Sequence, residues 1–524
     1  MRFLHAFGDA MTTHPAGSDE SLSLWIDTTP STNYPALSGD VDADVAIVGA
    51  GITGITAAWL LSKAGQSVVL VDKGRIAMSE TGHTTAHIVA TTDADYREMI
   101  KVHGEEGART DTEAIRSAVE LIRSLVSELA IDCGFKAVDG YLYTENEEDR
   151  EYLLRQHEDL RRAGMESEWV DRVPLPFPTI GGLRYRNQYV FHVRQYLLPI
   201  AEATVKNGAR IFENTLIHDV QNAEKDGFCV VKSEEGSIRA RHVLLATHVP
   251  INDRGTIWAK MHATRTYVVA APIQPGQVTD ALFWDTAYPY HYTRLLDTGK
   301  SLFLIVGGED RDVGKEENDE ERYQTLEDYC RSRFGVTTFS HRWSGQINEP
   351  ADMLPFIGES SHGKNVWMST GYSGTGMTYG TLSGMLLADF ALERENRFAK
   401  LYDPARKNLG SILENVVTKA IEFPKRMIEK VTHLDVEAKS VAEVGEGEGK
   451  IVSTGGAKYA VARIDGELRT VDPTCTHMGC TVAWNSAEKS WDCPCHGSRF
   501  NTRGEVLNGP ATAPLKQAEI GPSE

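Results

Sequence analysis

Asp44-Val45-Ala46-Ile47-Val48-Gly49-Ala50-Gly51-Ile52-Thr53-Gly54 opens the part of this chain whose reading decides its fold. The run Asp44–Val48 predicts a buried strand, and it passes straight into closely spaced glycines. Thr53–Ala64 then has helical character, Ser67–Val71 is a second apolar strand, and Asp72 ends it. Strand, turn, helix and strand make a βαβ unit, which builds a parallel sheet. Each glycine has its own task in such a unit. Gly49 allows the tight turn, Gly51 leaves room for a pyrophosphate against the backbone, and Gly54 lets the helix pack closely on the strand. The helix N-terminus carries the partial positive charge that favours phosphate. Asp72 stands where a carboxylate accepts hydrogen bonds from a ribose hydroxyl. An ordinary glycine-rich turn would leave Asp72 unexplained, so the stretch reads as a dinucleotide site.

Outward from this unit, helical patterns recur at Thr112–Ile131, Glu147–Arg162 and Gln195–Lys206. Arg210–Glu213 starts a series of short strands that reaches His248. Lys260–Pro272, Ser301–Gly307 and His341–Gln346 read as strands of a mainly antiparallel sheet. Asn365–Gly371 and Thr375–Leu392 return to the strand–glycine–helix pattern of the opening. The expected organisation is therefore an extension over 1–43, punctuated by Pro30 and Pro35, and a large α/β domain over 44–400. A substrate subdomain is expected at roughly 90–185 and 255–345, followed by a helical linker over 401–434 and a small strand-rich domain over 435–524. In the linker, Leu409, Ile412, Val416, Lys419 and Ile421 approximate helical spacing, and Lys425, Arg426 and Lys430 follow Pro424. A helix packed on its own domains is the simpler reading; a weakly basic patch over 401–431 touching a membrane surface is the sharper one.

The 524 residues carry a formal net charge of -20, which argues against a nucleic-acid partner, because phosphate binding needs a basic face. No apolar run approaches the roughly 18–20 residues of a membrane helix. Met1–Ser23 lacks a basic start followed by an apolar stretch, so a cytoplasmic location is expected.

Four of the seven cysteines (Cys475, Cys480, Cys493 and Cys495) crowd near the end of the chain, whereas Cys133, Cys229 and Cys330 are scattered. A disulfide-stapled secreted fold would spread them; clustering with interleaved histidines points to a metal. The segments are Cys475-Thr476-His477-Met478-Gly479-Cys480 and Cys493-Pro494-Cys495-His496-Gly497-Ser498. A Rieske [2Fe–2S] centre needs two thiolates on one iron and two neutral imidazoles on the other. Two loops that each supply one of each meet that need, with Cys475 and Cys493 on one iron and His477 and His496 on the other. A Cys/His zinc site is the competing reading, and the spacing, with Gly497 and Ser498 beside the last ligand, suits it less well. The segment from Ser440 to Leu515, including Gly509-Pro510-Ala511, resembles the Rieske family. That resemblance implies a disulfide between Cys480 and Cys495 and a proline loop over the cluster. Phe500 departs from the tyrosine common in high-potential members, which implies a lower potential.

Residues 44 to 395 resemble the FAD-dependent amine and amino-acid oxidase superfamily that includes D-amino-acid oxidase and glycine oxidase. The resemblance is carried by Asp44–Asp72, by Ser79-Glu80-Thr81-Gly82-His83-Thr84-Thr85-Ala86-His87, by Val243-Leu244-Leu245-Ala246-Thr247, by Leu354-Pro355-Phe356-Ile357-Gly358 and by Gly371-Tyr372-Ser373-Gly374-Thr375-Gly376-Met377. It implies a Rossmann-like α/β FAD-binding domain with an α+β substrate domain, joined to a small all-β Rieske domain. It also implies FAD contacts from Gly49, Gly51, Ile52, Thr53, Gly54, Asp72 and Lys73, and from Thr81, Gly82, His83, Thr84 and Thr85. Further contacts are implied for Ala246 and Thr247, and for Gly371, Gly374, Thr375, Gly376 and Met377, where a helix N-terminus would face the flavin pyrimidine. Some relatives bind flavin covalently near His83 and His87; hydrogen bonding is the plainer role for both. Arg265, Tyr267, His291, Tyr292 and Arg294 lie in the expected substrate sheet, where they could clamp a substrate carboxylate.

Together the two sites imply oxidation of a small amine or amino acid by hydride transfer to FAD, with electrons passed singly to the cluster and on to an unknown external acceptor. A Rieske oxygenase would need a large iron domain after the cluster, and the chain ends soon after His496. An NAD(P)H-dependent reductase is disfavoured because a second glycine motif in βαβ context is missing, and a redox sensor without turnover stays open.

Overall fold

The computed structural model describes residues 22–222, 227–251, 257–314, 319–361, 363–406 and 438–520. The expected linker falls almost wholly on 407–437, outside the described residues.

The opening strand runs over Gly39–Val48, five residues longer at its start than its apolar run suggests. Gly39–Ala43 pair in parallel with Gly236–Ala240, so the ladder continues past the core where no hydrophobic pattern marks it. Four strands form the parallel centre of an eight-stranded sheet: Gly236–Leu245, Gly39–Val48, Val68–Val71 and Arg210–Phe212. Val366–Thr370 adds in parallel beside Gly236–Leu245, and Phe356–Glu359 closes that edge antiparallel. Val45, Ala46 and Ile47 are fully buried, as parallel strands covered on both faces should be.

Three helices, Ile52–Lys63, Val193–Lys206 and Gly376–Ala391, pack together over this sheet. They approach closely because glycines meet small side chains. A Cβ on Gly384 would lie 2.7 Å from Thr56 Cβ, and one on Gly54 would lie 1.8 Å from the Gly49 carbonyl oxygen. The helix expected at Thr112–Ile131 is longer, Tyr96–Glu128, with Asp95 capping its start and a break at Gly104. The amino-terminal stretch is more than a cover: Trp25 is fully buried and its Nε1 donates to the Thr84 carbonyl.

A nine-stranded mixed sheet forms the second layer. Its order is His341–Pro350, Met261–Ile273, Leu302–Asp312, His291–Asp297, Leu282–Asp285, Lys136–Thr144, Gly181–Val190 and His87–Ile88, with Glu168–Val170 beside Gly181–Val190. All its pairings are antiparallel except Leu282–Asp285 with Lys136–Thr144. The C-terminal domain holds a three-stranded and a four-stranded antiparallel sheet around Ile451, Val471, Trp491 and Phe500. Among the described residues no helix is long and apolar enough to cross a membrane.

Candidate functional site

Gly49 turns the chain at a φ of +105°, where any Cβ would strike the Ala246 carbonyl oxygen at 2.3 Å. Asp72 faces this turn: its carboxylate accepts from Ala50 N at 2.6 Å and Gly74 N at 2.8 Å. A groove bounded by Gly49, Gly51, Asp72, Lys73, Ala246 and Thr247 continues into a cavity of about 830 Å³ between the two large sheets; Gly51, Thr81, Ala246 and His248 border both. Ile52, Thr53, His83, Thr84, Thr85, Gly374, Gly376 and Met377 line the cavity. Gly54, Gly82, Gly371 and Thr375 do not line either space. Gly54 packs on Gly49, a Cβ on Gly82 would meet the Ala77 carbonyl at 2.4 Å, and Gly371 turns at a φ of +78° against Pro350. His83 Nδ1 lies 3.0 Å from the Ser79 carbonyl oxygen and His87 Nδ1 3.1 Å from Thr85 Oγ1.

The four terminal cysteines and two histidines come together in two loops. Cys480 and Cys495 are joined as a disulfide, with Cα atoms 6.5 Å apart. Cys475 and Cys493 stay as thiols, both buried, and the rings of His477 and His496 stand 4.9 Å apart. Backbone N–H groups of Gly479 and Gly497 close each loop on Cys475 and Cys493 respectively. Ser498 Oγ accepts from Ala511 N, so the Gly509–Ala511 loop is tied to the second cysteine loop.

Comparison with known proteins assigns both halves. The description FAD dependent oxidoreductase (DAO) matches residues 44–390, and Rieske [2Fe-2S] domain matches 435–519. The chain belongs to the FAD-dependent oxidoreductase family. It carries a Rieske [2Fe–2S] domain at its C-terminus. The protein YhfW of Bacillus subtilis, named as a Rieske 2Fe-2S iron-sulfur protein, is 34% identical over 503 residues, 95% of this chain and 97% of its own. Gamma-glutamylputrescine oxidoreductase of Escherichia coli is 24% identical over 70% of this chain and 88% of its own. Glycine oxidase from Geobacillus kaustophilus superposes with a TM-score of 0.57 at 18% identity, over 70% of this chain and 99% of that one, a likeness of fold.

Both cofactors of this oxidoreductase fit the residues present. At Gly51 a Cβ would fill the space in front of the helix, 2.8 Å from Thr81 Oγ1, so its absence leaves backbone open for a diphosphate. Two buried thiols and two facing imidazoles, beside a disulfide that joins their loops, fit the donor set of the cluster that the matched Rieske domain names.

The expected carboxylate clamp is corrected by the structure. Of the five candidates only Tyr292 lines the cavity, where its hydroxyl lies 2.8 Å from Thr266 Oγ1. Arg265 and Tyr267 point from the opposite face of their strand. Arg265 Nη1 donates to Ser344 Oγ and its Nε lies 4.0 Å from Asp492 of the Rieske domain. Tyr267 donates to Asp319 and accepts from Arg311 Nε at 2.9 Å. His291 is held between Asp285 and Glu309 and stacks on Tyr329 at 4.1 Å. Arg294 is buried and donates to the carbonyls of Thr85, Ala86 and Phe191, so it braces the loop expected near the flavin.

Several residues that matter here had no role assigned to them from the sequence. Glu80 borders cavity and groove, accepts from Gln346 N at 2.6 Å, and also accepts from Asn508 of the Rieske domain. Burial raises its pKa, but His248 and Arg265 outweigh burial and hold it below the usual carboxylate range. Glu488 accepts from Ser344 at 2.7 Å and Tyr323 at 3.0 Å across the same interface. Trp258, 3% exposed, sets its ring 5.4 Å from His496 and 6.2 Å from His477.

Proposed function

We propose that this oxidoreductase oxidises an amine or amino-acid-like substrate in the 830 Å³ cavity and delivers the electrons to its own Rieske cluster, then to an external acceptor. FAD accepts a hydride and can release electrons one at a time, which suits a one-electron cluster. In this reading Gly49, Gly51, Ile52, Thr53 and the Ile52–Lys63 helix start hold the diphosphate, Asp72 takes a ribose hydroxyl, and Thr81–Thr85 with Gly374–Met377 border the flavin. Cys475 and Cys493 hold one iron and His477 and His496 the other.

The observation that carries the route is the docking of the cluster loops on the flavoprotein domain. Val506, Asn508, Gly509, Ala511 and Thr512 form part of the dinucleotide groove itself. His496 is only 5% exposed and faces Trp258, ten residues beyond the groove residue His248. His496 is therefore turned inward, toward the flavoprotein domain.

Anaerobic stopped-flow absorbance with low-temperature EPR tests this on the full chain loaded with both cofactors. Mixing with a panel of amines and amino acids is expected to bleach the flavin first and then develop a Rieske-type signal in the same molecule. Flavin bleaching with no cluster reduction would remove the internal route. Reduction by NAD(P)H alone would replace the substrate class.

A further inference from the structure

We infer that the cavity is built for a cationic amine that carries no carboxylate, an assignment that rests on the amine-oxidising reading above. Among the described residues its wall holds no lysine and no arginine, whereas six acids border it: Glu80, Asp93, Asp95, Asp149, Asp285 and Glu349. All six have protein partners. Glu80 accepts from Gln346 and Asn508, Asp95 caps the helix starting at Tyr96, Asp149 accepts from Thr144 and Thr286, and Asp285 pairs with His291. Among the described residues Asp93, against Gly374 and Thr375, and Glu349, which accepts from Thr264 Oγ1 at 3.5 Å, meet only neutral donors, with Asp310 behind Thr266 and Tyr290.

Among the described residues His83, His87 and His248 are the wall's only basic side chains. Burial pulls the His87 imidazole down to about 3 and lowers that of His248. Burial, with Glu349 adding to it, raises Asp93 to about 6 and Asp310 to about 7, so the three carboxylates lie within electrostatic reach of one another. Carboxylates crowded in this way are relieved by a bound cation and repel a bound anion. An amino-acid carboxylate would meet no guanidinium here, because Arg265 and Arg294 are committed elsewhere.

A further observation points to such a ligand. Tyr290 and Tyr292, with ring centroids 5.6 Å apart, and the stacked pair Tyr185 and Trp284 give the cavity aromatic walls, which bind ammonium groups through their faces.

The chemistry balances with FAD as oxidant. The ammonium first gives a proton to the carboxylate group. The C–H bond beside nitrogen then breaks, its electron pair leaves as hydride to FAD, and the nitrogen lone pair closes the C=N bond. Water hydrolyses the resulting iminium to a carbonyl compound and ammonia or a smaller amine.

Matched pairs differing only by a carboxylate test this on the FAD-loaded full chain: 2-phenylethylamine against D- and L-phenylalanine, and pyrrolidine against D- and L-proline. Anaerobic flavin reduction is expected to favour the amine in each pair by about ten-fold or more in kred/Kd. Asp93→Asn and Glu349→Gln should each weaken the amine by about ten-fold at unchanged FAD content. A carboxylated partner that equals or exceeds its amine overturns the inference and leaves the oxidoreductase reading standing. Unchanged amine affinity in both variants also overturns it. Reduction by NAD(P)H alone removes the amine reading itself, and this inference with it.

Discussion

Asn508 donates its side-chain amide to the Glu80 carboxylate, joining two residues 428 positions apart. Glu80 belongs to the loop beside the dinucleotide groove and Asn508 to the last strand of the Rieske domain, so one contact spans both redox sites. Asn508→Ala removes a donor from a charged acceptor, a loss of about 1.5–3 kcal/mol. The variant should keep both cofactors, unfold its Rieske domain at lower urea, and pass electrons from flavin to cluster more slowly. Stopped-flow rates equal to wild type would show that this contact does not set the domain docking.

Arg265 sits at the centre of the same interface at 1% exposure, near Asp492 at 2% and Glu488 at 8%. Burial raises the pKa of both acids, but Arg499 and Arg265 outweigh it and hold them ionised. Arg265→Met leaves buried carboxylates short of a counter-charge and should cost about 3–5 kcal/mol. Thermal unfolding followed by cluster absorbance is expected to fall. A substrate-clamp role would instead raise KM with stability unchanged.

Cys480 and Cys495 close a loop with a sequence separation of 15, for which chain entropy predicts about 3 kcal/mol. The double variant Cys480→Ser/Cys495→Ser should lose iron at a lower temperature than wild type, while flavin absorbance persists. Iron release at an unchanged temperature would show that packing alone holds the ligand loops.

His291 yields a prediction with pH. Burial lowers its pKa, but hydrogen bonds with Asp285 and Glu309 outweigh burial and raise it to about 9. The folded value lies above the unfolded value of about 6.5, so the stabilisation is fully present below about pH 6.5 and is lost as pH rises through about 9. The upper bound is about 3 kcal/mol. The urea midpoint of wild type should drop between pH 6.5 and 9.5 more than that of His291→Gln; parallel curves would refute the pairing.

The substrate site was the least legible part of the sequence, and one strand shows why. Thr264 to Ala271 are all buried, so no alternation of polar and apolar residues tells which face meets the cavity. Thr266 faces the cavity, whereas Arg265 faces the Rieske domain. Residue type alone favoured the arginine. Asp93 and Glu349 had no motif to distinguish them from solvent-facing acids, the segment around Glu80 assigned it no role, and the contacts of all three arise from elements that meet only after folding.

The sequence by itself determined what depends on local covalent geometry and donor chemistry. Gly49, Gly51 and Gly54 specify a turn that only glycine can make or approach, and the Cys/His spacing specifies the donor set of a Rieske cluster. Tertiary structure alone decided which face of the nine-stranded sheet lines the cavity and which meets the Rieske domain, and that Trp258 covers His496. Such relationships are contacts between chain segments hundreds of residues apart, set by packing two buried faces at once, and no local pattern encodes them.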